Sequence, residues 1–294
     1  MTEQRPPTID PTAAARWQQR PQTTSAWLHE EVARRMEQRL AWIVRRPKSW
    51  LHWEPLRGGM QAHALLARRY PGARGQVHAE LLQEHKLALR AAAESQGLTQ
   101  RWLAALRPQP RPEPAELLWA NMTLHMAARP QVQIQAWHES LAVDGFLMFS
   151  CLGPDTLREL RALYQALDWP APAHEFTDMH DWGDMLIQAG FAEPVMDMER
   201  IELTFESPQR LLQELRELGR NLHPARFAAL RGRAWQVRLF EALQQLADPV
   251  QEGRLKLSFE IIYGHAIKPQ RRLPVAEQTT FSLDDMRAQL RQRS

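Results

Sequence analysis

Trp50-Leu51-His52-Trp53-Glu54-Pro55-Leu56-Arg57-Gly58-Gly59-Met60 is the stretch on which the fold turns. It reads as a short apolar strand, an acidic residue, a glycine-containing turn and then a helix through Ala62 to Tyr70. A strand feeding a turn and a helix is where α/β proteins bind nucleotides, because backbone N–H groups and the helix N-terminus face the ligand. Here Pro55, Leu56 and Met60 crowd the turn that such sites build from glycine.

Working outward, residues 1–24 are polar and proline-punctuated and predict a flexible arm. Ser25 is placed to cap a helix carrying Trp27, Leu28, Val32, Met36, Leu40 and Ile43 at helical spacing, closed by Pro47. Beyond the opening stretch, Gln76–His78 predicts a second strand and Leu81–Leu106 one or two helices. Four alternating prolines in residues 107–114 then form an extended connector. Leu117–Ala120 suits a buried parallel strand, and a helix through Trp137 leads to Phe146–Ser150, the clearest strand of the chain. Helices over Thr156–Leu167 and from Asp178 or Asp181 to Gly190 follow. Val195–Phe205 and Leu255–Ile267 read as strands separated by Ser207–Asp248, helical throughout. Strands alternating with helices, ending in two strands joined by a helical insertion, predict an α/β fold with helices on both faces of an open sheet.

Composition narrows the function classes. The 294 residues carry 37 Lys+Arg against 34 Asp+Glu, so no strong positive field points to nucleic acid. Cys151 is the single cysteine, which excludes an internal disulfide and a thiolate metal cluster. His52, His63, His78 and His85 fall on different elements and form no metal set. The sequence has no apolar run near membrane-spanning length, and the expected location is cytoplasmic, with no membrane partner.

A resemblance sharpens this reading. Residues 116–125 and 141–150 look like the fourth and fifth strands of class I S-adenosylmethionine-dependent methyltransferases. Cys151-Leu152-Gly153-Pro154-Asp155-Thr156-Leu157-Arg158-Glu159-Leu160, Phe176–Asp181 and Glu260–Ala266 resemble the malonyl-acyl-carrier-protein O-methyltransferases of biotin synthesis. The likeness spans roughly Trp27 to Pro269. It implies a Rossmann-like class I sheet of seven strands with an antiparallel last pair, in a methyltransferase-like domain of residues 25–269. Residues 207–248 would be a helical lid between the last two strands, and 270–294 a tail with a short helix.

The same resemblance implies S-adenosylmethionine as cofactor and acyl carrier protein as partner. In register with the family, Glu54 falls on the acid ending strand one, Leu56 and Met60 on the outer two loop glycines, and Gly58 on the middle one. Ala79 stands at the acid ending strand two, with Glu80 one place later. The implied cofactor-binding residues are Glu54, Gly58, Gly59 and Glu80; Asn121, just beyond the Leu117–Ala120 strand at the sheet's carboxyl end where ligands bind in this architecture, is a further cofactor-binding candidate. His125, at the same strand end, is a substrate-binding candidate, and the implied lid supplies Arg216, Arg220 and Arg226 as the others. Two functions are compatible with this pattern: methyl transfer to a malonyl thioester on the carrier, or an inactive methyltransferase-fold protein acting as a binding or regulatory partner.

Overall fold

In the computed structural model, residues 9–94, 113–227, 229, 231–248 and 252–270 are described. The opening stretch is strand β1, Ser49–Trp53, second from one edge of the sheet. It pairs in parallel with β2 (Arg74–His78) on one side and β3 (Ala115–Ala120) on the other. Gly75 faces Trp50 across β1 and β2, where a Cβ would lie 2.4 Å from the indole. The sheet continues through parallel β4 (Leu141–Leu152) to antiparallel β7 (Arg254–Ile267) and β5 (Ala192–Phe205). Its order is β2-β1-β3-β4-β7-β5, and a seventh short strand, β6 (Ala247–Asp248), pairs with β7.

Period-two alternation explains why both faces are covered. Leu117, Trp119, Phe146, Met148, Phe259 and Ile261 point into one core. Leu118, Ala120, Leu147, Phe149, Cys151 and Ile262 point into the other. The first core is closed by α2 (Trp27–Arg39), α4 (Ala62–Arg69) and α7 (Arg158–Ala166). The second is closed by α6 (Pro130–Ser140) and α8 (Met179–Gln188). Helix α5 (Leu82–Glu94) packs beside β2. Residues 95–112, which contain most of the expected proline connector, lie outside the described residues.

Three local expectations are corrected. The arm contains a helix, α1 (Pro11–Gln18), whose N-cap Asp10 accepts the N–H groups of Thr12 and Ala13 with Pro11 at the first position. Ser25 does not cap α2, which begins after Ala26; its hydroxyl accepts the Met60 N–H at 2.9 Å. The stretch between β5 and β7 is two helices, α9 (Pro208–Leu218) and α10 (Arg233–Leu243), not one. Between them lie Gly219, Pro224 and Gly232, and the helical backbone stops at that run of breakers.

Candidate functional site

At the carboxyl end of β1 the chain turns through Glu54, whose φ of 48° is left-handed, into the single turn α3, Pro55–Gly58. A non-glycine residue in this region is uncommon and is held there by its surroundings. The Glu54 N–H donates to His78 O at 2.7 Å, and its carboxylate accepts the Glu80 N–H at 2.7 Å. Burial pushes the Glu54 carboxyl up to about 7; the Glu80 N–H opposes this, and the nearby Glu84 charge adds to it.

Arg57, in the middle of the turn, forks onto buried Glu84 through Nε at 3.0 Å and Nη2 at 2.9 Å. Its Nη2 also reaches the carbonyls of Gln18 at 2.9 Å and Arg20 at 3.0 Å, which straps the arm over the turn. Gln22 N–H adds a 2.7 Å bond to Glu84. Neither Arg57 nor Glu84 was singled out by sequence reasoning. An arginine inside a glycine turn is itself a signal of pairing, but Glu84 lies 27 residues away on a helix with no mark to distinguish it.

The two glycines serve the protein's own packing. A Cβ on Gly58 would stand 2.4 Å from Asn121 O, and Gly59 has a φ of 115°. Asn121 is fully buried beneath the turn: Nδ2 donates to Gly58 O and, at 2.8 Å, to His29 O, while Oδ1 accepts the Ser150 hydroxyl at 2.6 Å. Asn121 therefore fixes the turn against β3 and β4 rather than lining the crevice. His29 Nδ1 donates to Arg57 O at 2.6 Å, and burial lowers this imidazole to about 4, so it is neutral.

Glu54, Leu56, Arg57, Glu80 and Trp17 line a crevice whose cavity is about 70 Å³. Small-molecule sites run to about 300–1,000 Å³. As it stands the crevice is drawn closed: Leu56 is buried in the turn, and the arm is bonded to Arg57 across it.

The substrate-side residues diverge. His125, on a 3₁₀ turn after β3, is buried, accepts the Leu152 N–H through Nδ1 at 3.4 Å, and is held neutral by burial. It lines a second cavity of about 210 Å³ together with His174, Phe176 and Arg216. Arg220 borders the same cavity but donates to Arg216 O and to Gly219 O at 2.7 Å, its guanidinium 5.5 Å from the Trp17 ring centre. Arg226 is held by Asp10 at 2.7 Å and by His223 O at 2.9 Å, so it anchors the arm. His174 and Phe176 are further lining residues that the sequence reading gave no site role, although Phe176 opens one of the family-like stretches; their ring centres lie 4.8 Å apart.

Sheet order and the placement of the crevice at the strands' carboxyl ends define a class I methyltransferase-type fold. A solved Bacillus halodurans C-125 protein described as a methyltransferase shares it, with a TM-score of 0.51 at 13% identity over 82% of this chain and 100% of that one. No family model matches the chain. The malonyl-[acyl-carrier protein] O-methyltransferase of Gallionella capsiferriformans (strain ES-2) is 36% identical over 262 residues, 85% of this chain and 87% of that protein. The protein of that name from Halorhodospira halophila (strain DSM 244 / SL1) is 33% identical over 82% of this chain and 81% of its own length. That from Laribacter hongkongensis (strain HLHK9) is 42% identical over 53% of this chain and 52% of its own. The chain belongs to the malonyl-[acyl-carrier protein] O-methyltransferase family.

Proposed function

We propose that the chain methylates the free carboxylate of a malonyl thioester held on acyl carrier protein, with S-adenosylmethionine as methyl donor, in biotin synthesis. The observation that carries this is kinship at 36% identity along 85% of the chain. S-adenosylmethionine supplies a methyl group on a sulfonium when bound. A carboxylate acceptor already bears the attacking electron pair, so no side chain has to remove a proton. That suits a site whose nearest histidines, His125 and His174, are neutral and engaged with the backbone. The protein's contribution is then to hold the acceptor in line and keep water out.

In this reading Glu54 and Glu80 face the cofactor, Gly58 and Gly59 shape the turn under it, and Asn121 fixes that turn. His125 and Arg216 border the acceptor, and α9 with α10 act as a lid. Cofactor entry requires the α1 segment and the Arg57 fork to swing away, because together they close the crevice. The test is calorimetry with S-adenosylmethionine and its demethylated product, paired with a methylation assay on malonyl-acyl carrier protein. Micromolar binding and ester formation are expected. Absence of heat, thermal shift and product at millimolar ligand would overturn the assignment and leave a non-catalytic binding protein.

A further inference from the structure

Arg231, Arg233 and Arg238, on and just before α10, have no carboxylate partner among the described residues, and neither does Arg216. Arg231 stacks over Trp235 at 3.5 Å and over Phe227 at 4.3 Å. Trp235 packs on Trp169 with ring centres 4.1 Å apart, and Arg238 sits 5.9 Å from the Trp169 ring. Phe227 is 49% exposed and Val237 55% exposed. Among the described residues no carboxylate forms a salt bridge with Arg231, Arg233 or Arg238, although Glu241 lies one turn beyond Arg238 on α10. By contrast Arg210 and Arg226 are paired, with Glu214 and Asp10.

Aromatic stacking orders a guanidinium without using its in-plane N–H donors. A cluster of ordered arginines and tryptophans at the surface has the composition of an interface hot spot, and its charge selects a negatively charged partner.

The cluster also adjoins a way in. Tyr164 and Trp169 line a surface crevice of about 360 Å³. Pro172 and Ala173 are shared between that crevice and the 210 Å³ cavity of His125. Met126 and Leu218 are shared in turn between that cavity and the Glu54 crevice. Three spaces with shared walls thus lie side by side between the arginine–aromatic surface and the carboxyl end of β1.

We propose that Phe227, Arg231, Arg233, Trp235 and Arg238, with Trp169, form the docking surface for an acidic acyl carrier protein whose acyl arm enters past Trp169 and Ala173. This rests on the proposed function and relocates its partner contact: Arg220 and Arg226 hold the protein itself together, while Arg231, Arg233 and Arg238 meet the carrier.

The test is direct binding of malonyl-acyl carrier protein to the full chain at low and at physiological salt, beside turnover of the same protein and of malonyl-pantetheine. For Arg231→Glu/Arg238→Glu, carrier affinity should fall about tenfold or more. The ratio of kcat/KM on the carrier to kcat/KM on malonyl-pantetheine should fall in step, and the salt dependence should flatten. Arg233→Glu, at an exposed helix start, should give a smaller loss in the same direction. Carrier affinity within about twofold of wild type in a folded double variant would overturn the docking surface. Wild-type binding that the double variant abolishes, without methyl transfer by either, would support the surface and sink the catalytic reading. Methylation of malonyl-pantetheine by a wild-type chain that does not bind the carrier would do the reverse.

Discussion

Two turns at the carboxyl end of the sheet make an instructive pair. The turn after β1, residues 54–60, is where Leu56 and Met60 stand at positions the sequence reading expects to be glycine, and the turn after β4, residues 153–157, carries the stretch on which the family resemblance was drawn. The second is a fold staple. Glu260 accepts the Asp155 N–H at 2.6 Å, Thr156 bonds both the carbonyl and the N–H of Glu260, and Glu159 takes the N–H and hydroxyl of Ser258 at 2.9 and 2.6 Å. Its polar groups bind β7, so the strongest sequence signature reports architecture. The first turn also satisfies itself, but through Arg57, Glu84 and the arm, which belong to separate segments of the chain. The family-like motif is thus a staple within the sheet, and the turn after β1 is held by long-range pairs.

The largest expected effect tests whether the first turn depends on its ion pair. Glu84→Ala leaves Arg57 next to a buried vacancy and should destabilise the protein by about 3–5 kcal/mol. Replacing both residues with apolar ones of similar volume should recover most of that loss. A denaturant series on the two single variants and the double gives the coupling, and additive single effects would break the picture of a shared lock.

Glycine replacement compares the two turns directly. Gly58→Ala drives a methyl against a backbone carbonyl 2.4 Å away, which cannot withdraw. Gly153→Ala meets the Glu260 side chain at 2.7 Å, which can shift only by giving up the Asp155 N–H. The first should lose about 3 kcal/mol and the second less than half of that. Equal thermal shifts would show that the Gly58 turn is softer than its contacts indicate.

A third difference appears with pH. The Glu54 carboxyl is raised to about 7 in the folded chain, chiefly by burial, from an ordinary value of 4.5. The folded state therefore holds this proton more tightly. That stabilisation is complete below the unfolded value and is lost as pH rises through about 7. His29, His63 and His174, lowered to about 4 by burial, act in the opposite sense, so the raw curve mixes both. The difference between wild type and Glu54→Gln isolates the carboxyl and should move against wild type by about 2 kcal/mol between pH 5 and 8. A pH-independent difference would mean that Glu54 is ionised throughout.

The scaffold was the readable part. Phe146–Ser150 and Leu117–Ala120 are apolar runs that only a strand covered on both faces accommodates, and the breaks between elements fall at Pro and Gly. The helical insertion reads as continuous from its Ser207-Pro208 start, but Gly219, Pro224 and Gly232 divide it. The site was less legible, for it rests on long-range polar pairs. Arg57 with Glu84, Arg226 with Asp10 and Asn121 with Ser150 are joined across 27, 216 and 29 positions, and no local pattern encodes such partners.

Ser25 shows the same limit at the smallest scale, and it sets the finest test. A serine just before an apolar helical run has the form of an N-cap, as does Asp178 before Met179. Asp178 does cap its helix, with His180 N–H at 2.7 Å, whereas Ser25 Oγ crosses to Met60 N–H at 2.9 Å. Asp178→Ala and Ser25→Ala should therefore each lose about 1 kcal/mol, but in different places. Hydrogen exchange separates them: the first variant should free amides in the first turn of α8, the second the Met60 amide and the turn before α4. Faster exchange at the start of α2 in Ser25→Ala, with Met60 unchanged, would restore the capping role and loosen the link between the arm and the β1 turn.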